Sequence, residues 1–231
     1  MALLWLAAVR NTHQLKIFAT QAVRDGPWGH VFTRSLQEFN RISQAMKLGV
    51  MFVPSAQPPD ISTMTEGANV QFDVGEGTVQ ADTYKNWRGQ VINSFKRDFS
   101  GRECHGLTMP IATEGTEGIR LRRKYIYVPT APEFNSAFDG HVNMRVVGNG
   151  VKLFIALHEL IHACGLDNED HSKESSPDVF VGNPSPSPGA TREGDKLIIR
   201  SHPVRKLPDD PPTQPFFFTE RTASAIRSLW A

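Results

Sequence analysis

Two cysteines in 231 residues, Cys104 and Cys164, are too few for the disulfide framework on which small secreted scaffolds depend. One bridge between them stays open, but Cys164 stands inside an apolar run, where a small buried thiol is the plainer reading. An excess of one charge is missing too. The 25 Lys and Arg against 24 Asp and Glu leave a formal net charge of +1, so no bulk field draws the chain to nucleic acid or a membrane surface. No apolar run approaches the ~20 residues of a bilayer-crossing helix. The opening MALLWLAAVR has no basic residue ahead of its apolar block, which is at the short end for a signal-peptide core. It reads as a buried first strand or helix turn. The expectation is a soluble chain of bacterial or virion-associated origin, its compartment left open, with no nucleic-acid or membrane partner.

Internal repeats and clear interdomain linkers are absent as well. The length and the 39% of apolar residues suit one domain with a substantial core. Phe32, Leu36, Phe39, Ile42 and Met46 recur at three- and four-residue steps, predicting an amphipathic helix over 31–48, closed by Gly49. VMFV at 50–53 predicts a short buried strand stopped by Pro54, and 54–68 is turn-rich. VQFDV at 70–74 alternates as a half-buried strand does. Trp87, Val91 and Phe95 stand four apart, so a helix is expected within 84–99 despite Gly89.

Residues 104–112 and 119–129 predict two strands. The run Arg120, Arg122, Arg123 and Lys124 is expected on a solvated or edge face, where cations blunt strand pairing. It lacks the interleaved aromatics of a nucleic-acid surface. Residues 131–148 read as a polar loop, 175–190 and 203–215 as Pro-rich segments, and KLIIR at 196–200 as a strand. The terminal FTERTASAIRSLWA predicts a closing helix with Thr219 as N-cap and Ile226, Leu229 and Trp230 inward.

The chemistry concentrates in VKLFIALHELIHACGLDNEDHS, residues 151–172. Val151, Phe154, Ile155, Leu157, Leu160 and Ile161 make a helix apolar over most of its circumference, which belongs in a core. His158 and His162, four apart, lie one above the other and can reach one tetrahedral cation. Glu159 points to the neighbouring side, in reach of a metal-activated water. By average usage an H-E-x-x-H pattern arises by chance in on the order of one chain of this length in a hundred. Two buried imidazoles and a carboxylate without partners would also cost several kcal/mol, which a metal relieves. The pattern is that of a zinc hydrolase, with Glu159 as general base. A catalytic zinc wants a third protein ligand. Gly165 is placed to end the helix with a positive φ, and the returning chain offers Asp167, Asp170 and His171.

HELIHACGL at 158–166 resembles the H-E-x-x-H-x-x-G-L signature of the metzincin metalloproteases, matrixin-like branch. The resemblance implies a zinc endopeptidase acting on a peptide or protein, with one catalytic zinc; calcium is compatible with it but supported by no residue. The family's third histidine falls at Asn168, a poor ligand, so an expanded turn makes His171 the third ligand, with Asp170 the second choice. The order of helix 31–48, strands at 50–53, 70–74 and 104–128, then the zinc helix, fits the family's N-terminal subdomain. There an extended substrate pairs antiparallel with an edge strand, here 104–112. The family implies an α+β fold with a mixed, mostly parallel sheet over residues 1–165 and the zinc helix behind it. A small irregular C-terminal subdomain, 166–231, ends in a helix. One departure is the family's turn methionine: none follows Met144, and Val179 or Phe180 stands in its place.

Three alternatives remain. A deformylase-like amide hydrolase would use Cys104 as ligand, though Ile161 replaces the aspartate expected before the second histidine. A thermolysin-like arrangement would use Glu193, whose surroundings are not helical. A structural or assembly protein of virion type would keep the metal fold without turnover, using the Pro-rich loops as contacts in a larger particle.

Overall fold

The computed structural model describes residues 2–60, 66–85, 90–99, 106–115, 118–138, 141–167, 181–182, 189–193, 196–200 and 216–231. The N-terminal segment runs past Trp5, which bridges Leu121 in parallel, into one helical turn, α1 (Ala7–Arg10). Strand β1 (Gln14–Ala19) follows, then the short α2 (Gln21–Arg24) and the long α3 (Gly29–Met46). Next come β2 (Met51–Pro54), β3 (Val70–Gly75), β4 (Thr78–Lys85), β5 (Val91–Asp98), β6 (Leu107–Gly115) and β7 (Gly118–Pro129). A hairpin of β8 (Glu133–Phe138) and β9 (His141–Val146) leads to α4 (Asn149–Ala163). The remainder holds β10 (Val181–Gly182), β11 (Gly189–Glu193), β12 (Lys196–Arg200), β13 (Phe217–Phe218) and the closing α5 (Glu220–Trp230).

The organising element is a five-stranded sheet in the order β2-β1-β3-β7-β6. Its first three pairings are parallel, and β6 joins β7 antiparallel at the edge. The expected mixed, mostly parallel sheet of an α+β fold is therefore present. Helices α3 and α4 pack on one another, α3 also against β2 and α4 against β6 and β7, so both cover the same face. The core between them is aliphatic and aromatic: Leu15, Ile17, Phe52, Phe72 and Ile126 from the sheet, Phe39 and Ile42 from α3, and Leu157, Leu160 and Ile161 from α4. Phe39 meets the Phe52 ring edge-on, centroids 4.7 Å apart. On the opposite face a second cluster, Phe95, Phe99, Ile111, Tyr125 and Tyr127, sits under the β4-β5 hairpin. No helix among the described residues is long and apolar enough to cross a membrane.

Several expectations change here. Strand β1, interior to the sheet, is not among the elements the sequence predicts. The helix expected within 84–99 is instead the end of β4 and the strand β5: a four-residue step is also two strand repeats, so the spacing fits either element. Phe95 there packs against Tyr127 at 5.1 Å between centroids. The polar loop expected over 131–148 is the β8-β9 hairpin, with Phe138 opposite His141 and two residues between them, Asp139 and Gly140. Asp-Gly between alternating flanks is a strong short-range hairpin signal, and it was there to be read.

The basic run is not on an edge, and only Arg120 and Arg122 stay half-exposed. Arg123 is 1% exposed and Lys124 is 4% exposed, because β7 is an interior strand covered on both faces. Each cation has a carbonyl: Arg123 Nη2 donates to Glu66 O at 2.6 Å, and Lys124 Nζ to His162 O at 2.8 Å. Helix α3 ends two residues early, with Lys47 at φ +53 taking the left-handed position. Among the described residues beyond α4, β12 pairs parallel with β8, giving a four-stranded sheet β11-β12-β8-β9. Helix α5 starts as predicted, the Thr219 side chain accepting from Thr222 N, with Ile226 and Trp230 buried.

Candidate metal centre on helix α4

From 151 to 166 every residue is buried except Phe154 and His158, which stand four apart on one stripe. The apolar sequence of α4 thus sinks the helix on all sides but one, and that side carries His158. His162 lies one turn on and is 5% exposed. The two Nε2 atoms are 3.1 Å apart, the rings tilted 75° to each other. Two tetrahedral zinc ligands, each about 2.0–2.1 Å from the ion, stand about 3.3 Å apart, so the pair converges as two ligands of one ion do.

The protonation of His162 follows from its other nitrogen. Nδ1 lies 3.1 Å from Leu166 O, and a carbonyl only accepts, so Nδ1 carries the proton. When the ring is neutral, its lone pair is therefore at Nε2, toward His158. An outer hydrogen bond of this kind fixes the tautomer wherever an imidazole binds a metal. The donor set, two soft-edged nitrogens of neutral imidazole at tetrahedral spacing, fits zinc.

Glu159 points the other way, toward edge strand β6, and is 5% exposed. Thr108 Oγ1 donates to its Oε2 at 2.6 Å and lies 3.3 Å from its backbone carbonyl. A Cβ on Gly106 would meet Glu159 Oε1 at 2.5 Å, so only glycine lets the strand approach this closely. Burial pushes the Glu159 carboxyl up to about 7, against the opposing pull of the Thr108 hydrogen bond and the Lys124 charge.

The C-terminal turn of α4 is held carbonyl by carbonyl. His162 O accepts from Lys124 Nζ and Gly165 N, Ala163 O from the Trp5 indole at 3.0 Å, and Cys164 O from the Trp230 indole at 2.9 Å. Gly165 O accepts from Leu3 N at 2.9 Å. The carbonyls that a helix end leaves without intrahelical partners are thus taken by three separate parts of the chain. Cys164 is a buried free thiol, as its place in the apolar run suggested, and burial pushes its pKa up.

Gly165 takes φ +122, the positive φ predicted for it, and a Cβ there would meet Leu3 O at 2.5 Å. Gly165→Ala is expected to destabilise the fold by about 2–3 kcal/mol through backbone strain alone, before the clash is added. The check is a lower denaturant midpoint at unchanged m-value.

The structure thus brings together His158, Glu159 and His162. It adds Thr108 and Gly106, which the sequence did not single out, and Lys124, expected on a solvated or edge face; only the pairing of β6 with β7 and its packing on α4 puts them there. Asp167 is exposed, and the Glu193 side chain lies outside what is described. His171, Asp170, Asn168, Cys104, Val179 and Phe180 lie outside the described residues. Among the described residues no group of three or more His, Cys, Asp or Glu is arranged to hold a metal ion. Compared with known proteins, the chain matches no family model, and no curated protein matches it in sequence.

Proposed function

We propose that the protein is a zinc-dependent endopeptidase of metzincin-like design. The observation that carries this reading is the convergence of His158 and His162 at 3.1 Å, with His162 Nδ1 committed to a carbonyl. His171 is the third ligand in this reading, supplied by the chain that returns after Gly165. A zinc ion held there supplies Lewis acidity and brings the pKa of a nearby water to about 7. Glu159 takes the proton of the attacking water and hands it to the leaving amine. Strand β6, at the sheet edge beside Glu159, offers backbone groups to an extended peptide, so its scissile bond can lie across the site.

The test joins elemental analysis to digestion of a peptide library with and without chelator. The expected result is one zinc per chain and cleavage that chelation stops. His171→Ala should lose the zinc and Asn168→Ala keep it. A chain that holds no metal, and takes none up on dialysis, overturns the proposal. Cys104→Ser is expected to leave zinc content unchanged; loss of the metal in that variant would favour the deformylase-like arrangement instead.

A further inference from the structure

We infer that Thr108 is a positioning residue for the general base, holding Glu159 in one orientation. The inference rests on the reading of Glu159 as that base. Thr108 belongs to β6, an edge strand whose alternate residues Leu107, Met109 and Ile111 pack into the second cluster on the far face. The alternation turns Thr108 toward α4. Its hydroxyl lies 2.6 Å from Glu159 Oε2, a short distance of the kind a carboxylate acceptor gives. The other oxygen, Oε1, faces Gly106, whose lack of a side chain leaves the room it occupies. One oxygen of the carboxyl group is therefore held by the strand, and the other has its space beside Gly106. Glu159 has three side-chain torsions, and fixing them before substrate arrives removes an ordering cost from the reaction step.

Thr108 keeps its own proton throughout. The Glu159 carboxylate takes the proton as the water O–H bond breaks and the new C–O bond forms, and gives it to the amine nitrogen as the C–N bond breaks. A threonine here gives one donor on a stiff β-branched side chain, so the hydroxyl is itself held.

The experiment compares Thr108→Val, which keeps the shape and removes the donor, with Thr108→Ser, which keeps the donor and removes the methyl. Thr108→Ala serves as a second donorless variant should valine fold poorly. The expected result is a kcat lowered about 10–100-fold in the donorless variants, with KM and zinc content unchanged, and recovery to within about threefold of wild type in Thr108→Ser. A second readout needs no turnover. In zinc-free protein labelled with 13C at glutamate, the Glu159 carboxyl resonance should move in Thr108→Val and stay in Thr108→Ser. Wild-type kcat in Thr108→Val, or equal loss in the serine and valine variants, overturns the inference while leaving the protease reading intact. A wild-type chain without chelator-sensitive cleavage removes both.

Discussion

Glu159→Gln is expected to lower peptide hydrolysis by about a hundred- to ten-thousand-fold while the zinc content stays at the wild-type level. The substitution preserves size, and the amide oxygen can still accept from Thr108, so neither packing nor the two histidines should change. What it removes is the ability to take a proton. The same variant carries a second expectation, of opposite sign, for the fold. In zinc-free protein, burial raises the Glu159 pKa from 4.5 to about 7. The folded state therefore keeps its proton where the unfolded chain has lost it. The contribution of that proton to stability is complete below pH 4.5 and is lost as pH rises through 7. The ceiling of the effect is about 3 kcal/mol, from about 1.4 kcal/mol for each pKa step. Zinc-free Glu159→Gln should accordingly be more stable than wild type at pH 8 and indistinguishable from it at pH 4. Denaturant titrations at the two pH values measure this, and an equal difference at both would show that ionisation of Glu159 is not its source.

The two halves of that expectation belong together. A carboxylate sunk beside an edge strand is a poor choice for folding and a good one for abstracting a proton near neutrality. A structural protein that merely used the two imidazoles to staple a helix would gain from glutamine at this position at no loss. The paired measurement, activity down and zinc-free stability up, therefore separates turnover from a structural metal site more sharply than metal content alone.

What could be read from the sequence was what the sequence encodes locally. The H-E-x-x-H spacing needs only the 3.6-residue turn of one helix, so His158, Glu159 and His162 were legible together. The N-cap at Thr219 and the positive φ at Gly165 are equally local, each set by one residue's chemistry. The basic strand was misread because burial of Lys124 depends on which strands flank β7, and that depends on the long crossover between β3 and β7, residues 76–117. Once β7 is interior, a lysine there must find an acceptor, and the end of α4 supplies one. Thr108 escaped notice for the same reason: a threonine in a strand is unremarkable until pairing with β7 places it under the helix. The 84–99 segment failed differently, through a spacing that helix and strand share. The third ligand depends on the path of the chain beyond Leu166, which spacing alone does not set.

Trp230→Ala is expected to destabilise the protein by about 3–5 kcal/mol and to weaken zinc retention with it. Trp230 is 2% exposed at the end of α5, and its indole nitrogen donates to Cys164 O at 2.9 Å. Alanine removes a buried tryptophan side chain and leaves a buried carbonyl short of a donor, two separate losses at one position. The corner is the C-terminal turn of α4, two residues beyond His162, so the damage falls where the proposed ligand is held. Trp230→Phe separates the two losses: the ring largely fills the space, and the missing N–H costs about 1–2 kcal/mol. If the indole hydrogen bond helps to hold the turn that carries His162 Nδ1 against Leu166 O, the phenylalanine variant should release zinc to a competing chelator faster than wild type at a temperature where both are folded. Equal release rates would mean that Trp230 supports the fold and leaves the metal alone. The distinction bears on why the last helix of the chain exists: α5 buries Ile226 and Trp230 in the core and delivers one donor to the helix that carries the histidines.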